Sequence, residues 1–263
     1  MEAKKITGVE NEKEENINLK KNEINLIYKG NYKEERIFGE DFVERNKNNI
    51  KLNINGTDTK LVKSYKLKFG NNNIKLLIMN KLTDLSRMFY KCDTLYNIEE
   101  LKYLDISGVN GFGGMGGMFE DCKSLSNVKG LENWDVSNIK SFHSFFRGCS
   151  KLSDISALKN WNVSKVETFF LMFEGCYNLS DLSPLKNWNV SNAFSFQHMF
   201  EGCSKLSDIS PLQNWNVKDD LPSSSVAWMF KGCSSKSDIK SDIKQIIIKW
   251  KKSQKLDVSN FLR

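Results

Sequence analysis

"FLMFEGCYNLSDLSPLKNWNVSNAFSF", Phe170–Phe196, ends where its own beginning is about to recur. Met172-Phe173-Glu174-Gly175-Cys176 returns 27 residues later as Met199-Phe200-Glu201-Gly202-Cys203. Cysteines fall at 92, 122, 149, 176, 203 and 233, with spacings of 30, 27, 27, 27 and 30. Tryptophans at 134, 161, 188 and 215 keep the interval of 27. Five of the six cysteines close the frame Met-Phe-x-x-Cys, and Cys149 has Phe145-Phe146 in that place. A fixed period of about 20–50 residues predicts supersecondary units stacked as a solenoid.

The two longer intervals fit the same scheme. Leu104-Asp105-Ile106-Ser107 stands where Trp134-Asp135-Val136-Ser137 stands one unit later, and the extra residues lie in Gly111–Gly117. The last unit gains its extra residues in Asp219–Ser225. Both insertions fall between the Trp and Met-Phe positions, which predicts one edge of the stack for both.

Within a unit, Ser164-Lys165-Val166-Glu167 reads as a capping box. Val166, Phe169, Phe170 and Phe173 follow at i, i+3, i+4 and i+7, one face of a helix. Gly175 then sits where a left-handed residue would end it. Cys176, Leu179, Leu182, Leu185 and Trp188 place an apolar residue about every third position, which suits an extended arc. Pro184 and Pro211 share a column and also argue against helix there.

The ends differ from the middle. Residues 1–22 read as a flexible charged tail, 23–80 as a β-rich N-terminal capping module, 81–236 as the repeats, and 237–263 as a C-terminal capping helix and tail. Ile50, Leu52 and Ile54 alternate into Asn55-Gly56, a strong hairpin signal. Tyr65–Phe69 and Ile74–Met79 predict two further strands around Gly70–Asn73. Ile243, Ile246, Ile247 and Trp250 make a helical stripe with Lys244, Lys249, Lys251 and Lys252 off it. That stripe reads as a cap with a solvated basic face, or as a site for an acidic partner or membrane surface.

The repeat "NWNVSNAFSFQHMFEGCSKLSDISPL" resembles that of the BspA-like leucine-rich-repeat surface proteins, over about residues 81–233. Trp134-Asp135-Val136-Ser137-Asn138-Ile139 fits their Trp-x-Thr/Val-Ser-x-Val closely. Ile37–Asn46 looks like the module that precedes such repeats in single-celled eukaryotes. The resemblance implies an α/β fold: a leucine-rich-repeat-like solenoid of short strands and helices. It implies adhesion or protein binding in secreted members, and no enzymatic activity. Phe142, Phe169 and Phe196 stand where the family usually has Met.

The cysteines admit four roles. Zinc sites usually bring two ligands close in sequence; here no two cysteines lie nearer than 27 residues, and His143 and His198 stand six and five positions before their cysteines. Six is an even number and would suit disulfides in a secreted chain. Nucleophilic catalysis would need a base and an orienting group beside the thiol, and neither is readable. Equivalent residues in stacked units form columns, so a buried packing ladder is the expected role. The Ser-Asp column (Ser153-Asp154, Ser180-Asp181, Ser207-Asp208) reads as a turn bonding its own backbone, in preference to a calcium row. Asn133, Asn160, Asn187 and Asn214 read as a ladder satisfying backbone groups.

Bulk properties narrow the rest. Two histidines in 263 residues argue against acid–base chemistry near neutrality. A net charge of +7 permits an acidic partner without demanding nucleic acid. Met1–Thr7 carries no apolar core of a secretory signal and Ile246–Ile248 is far too short to span a bilayer, so the expectation is a cytoplasmic chain, with the cell surface as alternative. The functional expectation is a non-enzymatic protein-binding or scaffold protein without metal or cofactor; an adhesin exported without a visible signal is the alternative. Contacts are expected where polar columns vary between units: Lys159, Lys186 and Gln213, with Lys151, Asn178 and Lys205.

Overall fold

Alternating apolar residues build the strands of the N-terminal sheet. In the computed structural model, which describes residues 22–218, 221–234 and 245–246, Ile24, Leu26 and Tyr28 point inward from strand β1, Glu23–Gly30. Strands β3 (Ile50–Ile54) and β4 (Thr57–Lys60) form an antiparallel hairpin across Asn55-Gly56. Both turn residues have positive φ, 51° and 90°, as a type I′ turn requires. Strand β6, Gly70–Ile78, pairs antiparallel with β1 on one side and β3 on the other. The sheet order is β4-β3-β6-β1-β7. Its last strand, β7 (Leu95–Asn97), comes from the first repeat, so the sheet and the repeats share an edge. Strands β2 (Glu34–Arg36) and β5 (Ser64–Lys66) make a separate pair. The expected strand partners around Gly70–Asn73 are therefore different: those residues lie within β6, and β5 pairs with β2.

Helix α1, Glu40–Asn46, buries Phe42 and carries Glu40 and Asp41 in its first turn, where the helix dipole favours them. Before it, Gly39 donates its N–H to the Met88 carbonyl at 2.9 Å. A Cβ there would lie 2.0 Å from the Arg87 carbonyl oxygen, so only glycine allows this approach of module and repeat. Phe38 packs on Phe89 at 5.7 Å. From Phe89 a column of rings runs through Phe119, Phe146, Phe173, Phe200 and Phe230 in steps of 5.3 to 5.7 Å. One hydrophobic core thus continues from the sheet into the repeats.

The leucine-rich-repeat-like solenoid of strands and helices is overturned. Among the described residues the one complete α-helix is α1, outside the repeats, and the strand pairings are antiparallel. The fold is a mixed one, a small antiparallel sheet followed by units built of turns. Those units contribute β7, short 3-10 turns and isolated parallel bridges such as Ser141–Thr168 and Thr168–Ser195.

The backbone accounting shows why no helix forms at Val166–Phe173. Phe169, Leu171, Phe173 and Gly175 donate their N–H groups to Ser195, Gln197, Met199 and Glu201 of the next unit, at 2.7 to 3.1 Å. Met172, Glu174 and Cys176 donate instead to the carbonyls three residues back, at 3.0 to 3.2 Å. From Leu171 to Cys176 the amides alternate between joining units and closing turns, and the Phe170 N–H donates to the Thr168 hydroxyl, so all are satisfied without an i→i−4 ladder. Leu171 and Gly175 have φ of 60° and 72°, the left-handed geometry a type II turn needs at its third position. Gly175 is thus one in a chain of turns, not a helix stop. The expected capping box is absent too: Ser164 donates its amide to Asn162 Oδ1 at 3.2 Å. The spacing of three seen from Cys176 to Trp188 also runs through Val163, Val166, Phe169 and Met172, all buried, and Phe173 restarts it toward Cys176.

Asp154, Asp181 and Asp208 each accept the N–H two residues on, at 2.8 to 2.9 Å, which matches the turn reading of the Ser-Asp column. Pro184 and Pro211 open the 3-10 turns Ser183–Leu185 and Ser210–Asn214. Asn133, Asn160, Asn187 and Asn214 are exposed. Of the expected C-terminal helix, Gln245 and Ile246 are described and Ile246 is buried; the rest of it, the N-terminal tail 1–21 and residues 219–220 lie outside the described residues.

Candidate functional site

The same turn chain that buries one set of side chains presents another. Phe169, Met172, Phe173 and Cys176 point inward, while Glu167, Phe170, Leu171 and Glu174 are partly exposed. Repeated over successive units, these outward positions make one continuous face. Its rings are His143, Phe170, His198 and Trp228. His143 and Phe170 stack at 6.0 Å and 7°. Phe170 meets His198 edge-on at 5.9 Å, and His198 stacks on Trp228 at 5.0 Å. Phe112 and Phe194 add two further rings, 49% and 46% exposed. Burial holds the His143 imidazole below its ordinary pKa, which keeps it neutral at physiological pH.

A charge ladder runs beside the rings. Arg147 bridges two units, to Glu120 at 2.9 Å and Glu174 at 2.5 Å. Lys140 pairs with Glu167 at 2.9 Å, Lys231 with Glu201 at 3.7 Å, and His198 Nδ1 with Glu201. Glu120 is almost wholly buried, so Arg147→Ala leaves it a charge without a partner. The expected loss is about 1–3 kcal/mol, read as a lower urea midpoint. Adding Glu120→Gln should recover part of it; no recovery would mean that the ladder does not hold these units together.

The cysteines lie on the opposite, inner side. All six are free thiols, five of them fully buried. The thiols of Cys122, Cys149, Cys176 and Cys203 donate to the carbonyls of Phe89, Phe119, Phe146 and Phe173, each one unit back, at 3.0 to 3.2 Å. Cys233 repeats the bond to Phe200 at 3.2 Å. Burial pushes all of these thiols well above the ordinary thiol range, Cys233 to about 12. A thiolate is the reactive form, so this column is packing with a weak bond per unit. Among the described residues no group of three His, Cys, Asp or Glu side chains is placed to hold a metal ion, and no helix is long and apolar enough to cross a membrane.

The six residues expected to contact a partner divide. Lys159 and Lys186 directly follow the 3-10 turns Ser156–Leu158 and Ser183–Leu185, and Gln213 lies in the third such turn; neighbouring turns touch, so the three form one exposed column. Lys151 and Lys205 are exposed on another column. Asn178, between them, is half-buried and donates its side-chain amide to the Ser150 carbonyl at 2.8 Å; it joins units and is not free for a partner. The ring face was not anticipated. His143 and His198 are out of register by one residue, which hid that both flank Phe170, and Phe170 itself was assigned to a helix core.

A family model matches residues 59–127 and 113–246. No curated protein and no solved structure matches the chain. The match covers the repeats and part of the strands before them; it does not carry the leucine-rich-repeat assignment that the repeat's resemblance implied. By this match the chain belongs to the family described as "Mycoplasma protein of unknown function, DUF285".

Proposed function

We propose that this is a non-enzymatic protein-binding or scaffold protein, which uses the outward face of its repeats. The observation that supports this reading is the ring and charge strip from Phe112 to Trp228. Inner columns of Phe, Trp and Cys are constant from unit to unit, while outward positions change: His143, Phe170 and Gln197 share one column, and Arg147, Glu174 and Glu201 another. Half-exposed aromatic and arginine side chains are the types that dominate binding energy in protein interfaces. The exposed Lys159, Lys186 and Gln213 column offers a second contact for an acidic partner. In this reading the chain works in the cytoplasm, where its thiols stay reduced.

The test is affinity capture from native cells with Phe194→Ser/Trp228→Ser and, separately, Lys159→Glu/Lys186→Glu. Phe194 and Trp228 are about half-exposed and both lysines are exposed, so circular dichroism should be unchanged. Loss of the wild-type partner set with the first variant supports the ring face. Undiminished capture by both variants sinks the reading. The second reading, a cell-surface adhesin, draws support from the repeat's resemblance to BspA-like surface proteins and from the exposed Asn162 and Asn189 of two glycosylation sequons. Thiol counting on native material separates the two: six free thiols favour the cytoplasm, while disulfides or glycans favour the surface.

A further inference from the structure

The most exposed large apolar side chains among the described residues lie far from the ring face, at a tip of the sheet module. Tyr32 is 67% and Phe69 73% exposed. They sit on separate loops, after β1 and before β6, and stack on each other at 6.1 Å and 23°. Two rings left this open in water are unfavourable for folding alone, yet the surrounding backbone is organised to keep them there.

Asn72 is fully buried behind the Phe69 loop. Its Oδ1 accepts the Lys68 N–H at 3.0 Å, and its Nδ2 donates to the carbonyls of Lys68 and Gly70 at 2.9 and 3.0 Å. Asn55 donates to the same Oδ1 at 2.9 Å. The turn that carries Phe69 is thus clamped from inside. The Leu67 N–H donates to the Lys33 carbonyl at 3.1 Å and ties the two loops together. Tyr32 is held at φ 68°, a left-handed conformation that an aromatic residue rarely adopts.

Charge completes the arrangement. Lys33, Lys66 and Lys68 flank the rings and are exposed. Among the described residues no carboxylate lies within ion-pair distance of Lys33, Lys66 or Lys68. These three lysines outnumber the neighbouring carboxylate, Glu34, which stands opposite Lys66 in the β2–β5 pair. A net positive rim around a projecting ring pair calls for a partner that is anionic and can admit two rings without a matching pocket.

We propose that the Tyr32–Phe69 tip is an interfacial anchor for an anionic lipid surface. The rings enter the headgroup region, where aromatic side chains are favoured, and the lysines sit over the acidic headgroups. Single-stranded nucleic acid is the weaker fit, because bases stack on open ring faces and here one face of each ring is turned toward the other.

Co-sedimentation of the full chain with vesicles tests this. Binding is expected to phosphatidylcholine vesicles containing phosphatidylglycerol, to fall with added salt, and to be weak on pure phosphatidylcholine. Tyr32→Ala/Phe69→Ala and Lys33→Gln/Lys66→Gln/Lys68→Gln should each lower partitioning at least about tenfold, with circular dichroism and thermal melting unchanged. The proposal is overturned if the wild type stays in the supernatant or if either variant binds like the wild type. It is equally overturned if an oligonucleotide strips the chain from vesicles, or if sedimentation velocity shows a self-association that the ring variant abolishes. The ring face plays no part in this assay, so its outcome is independent of protein binding there.

Discussion

Between about pH 8.5 and pH 10 the protein is expected to lose most of its stability, and to unfold before its lysines titrate. The cause is the thiol column. Cys92, Cys122, Cys149, Cys176 and Cys203 are fully buried, and burial raises each of them above the ordinary thiol range. In the unfolded chain the same groups ionise near about 8.5. A raised folded-state pKa means that the unfolded state releases its proton first. Stability from this source is therefore complete below the unfolded pKa and declines as pH rises toward the folded values. Each such thiol contributes a slope of about 1.4 kcal/mol per pH unit, so five give about 7 kcal/mol per unit. A domain holds only about 5–15 kcal/mol in total. Urea midpoints measured from pH 7 to pH 10 should fall steeply above about 8.5, and Cys176→Ala should flatten the slope by one proton's share. A flat profile to pH 10 would mean that the thiols reach solvent in the folded state. The same burial predicts that a thiol reagent at neutral pH labels the native protein slowly and the denatured protein at all six positions.

How much of this was legible in the sequence depends on which interaction governed each part. The period was legible because stacked columns demand equal spacing: the Cys, Trp and Met-Phe positions are core positions, and a core tolerates little change in volume. The Asn55-Gly56 hairpin was legible because a type I′ turn has a narrow residue requirement. The helix at Val166–Phe173 was misread because i, i+3, i+7 also fits a chain of three-residue turns. The signal that separates them was present in the frame Met-Phe-x-Gly-Cys. A glycine two residues after a buried Phe in four of the six units, with Lys91 and Asp121 in the other two, marks a type II turn as well as it marks a helix end. Leu171 and His198 gave no such warning, because ordinary side chains occupy those left-handed positions and the ladder between units holds them there. The ring face escaped for a different reason. Sequence patterns report which residues are buried, whereas Phe170 and His198 meet only through the geometry of adjacent units. Helix α1 was missed inside a segment read as strands, since a seven-residue helix owes its stability to Phe42 packing more than to its own pattern.

Trp188→Ala is expected to cost about 3–5 kcal/mol, the largest single-residue effect in the repeats. The indole is 3% exposed. It stacks on Trp161 at 6.5 Å and 4°, and on Phe169 at 5.6 Å. Its Nε1–H donates to the Leu158 carbonyl at 3.1 Å. Trp161 and Trp215 make the same bond to Leu131 and Leu185, so each indole clips its unit to the one before. Truncation removes the ring, opens a cavity between two units and leaves the Leu158 carbonyl with only the Trp161 N–H as donor. A turn-built unit has no helix or sheet of its own to fall back on, so the damage should spread to its neighbours and lower the cooperativity of unfolding. Trp188→Phe separates the two contributions: it keeps most of the packing and loses the bond, for an expected cost of about 1–2 kcal/mol. Thermal and urea melts of both variants check the order. A near-neutral Trp188→Ala would show that units are held by the backbone ladder alone. An equal cost for both variants would show that the indole bond, and not the ring stack, binds one unit to the next.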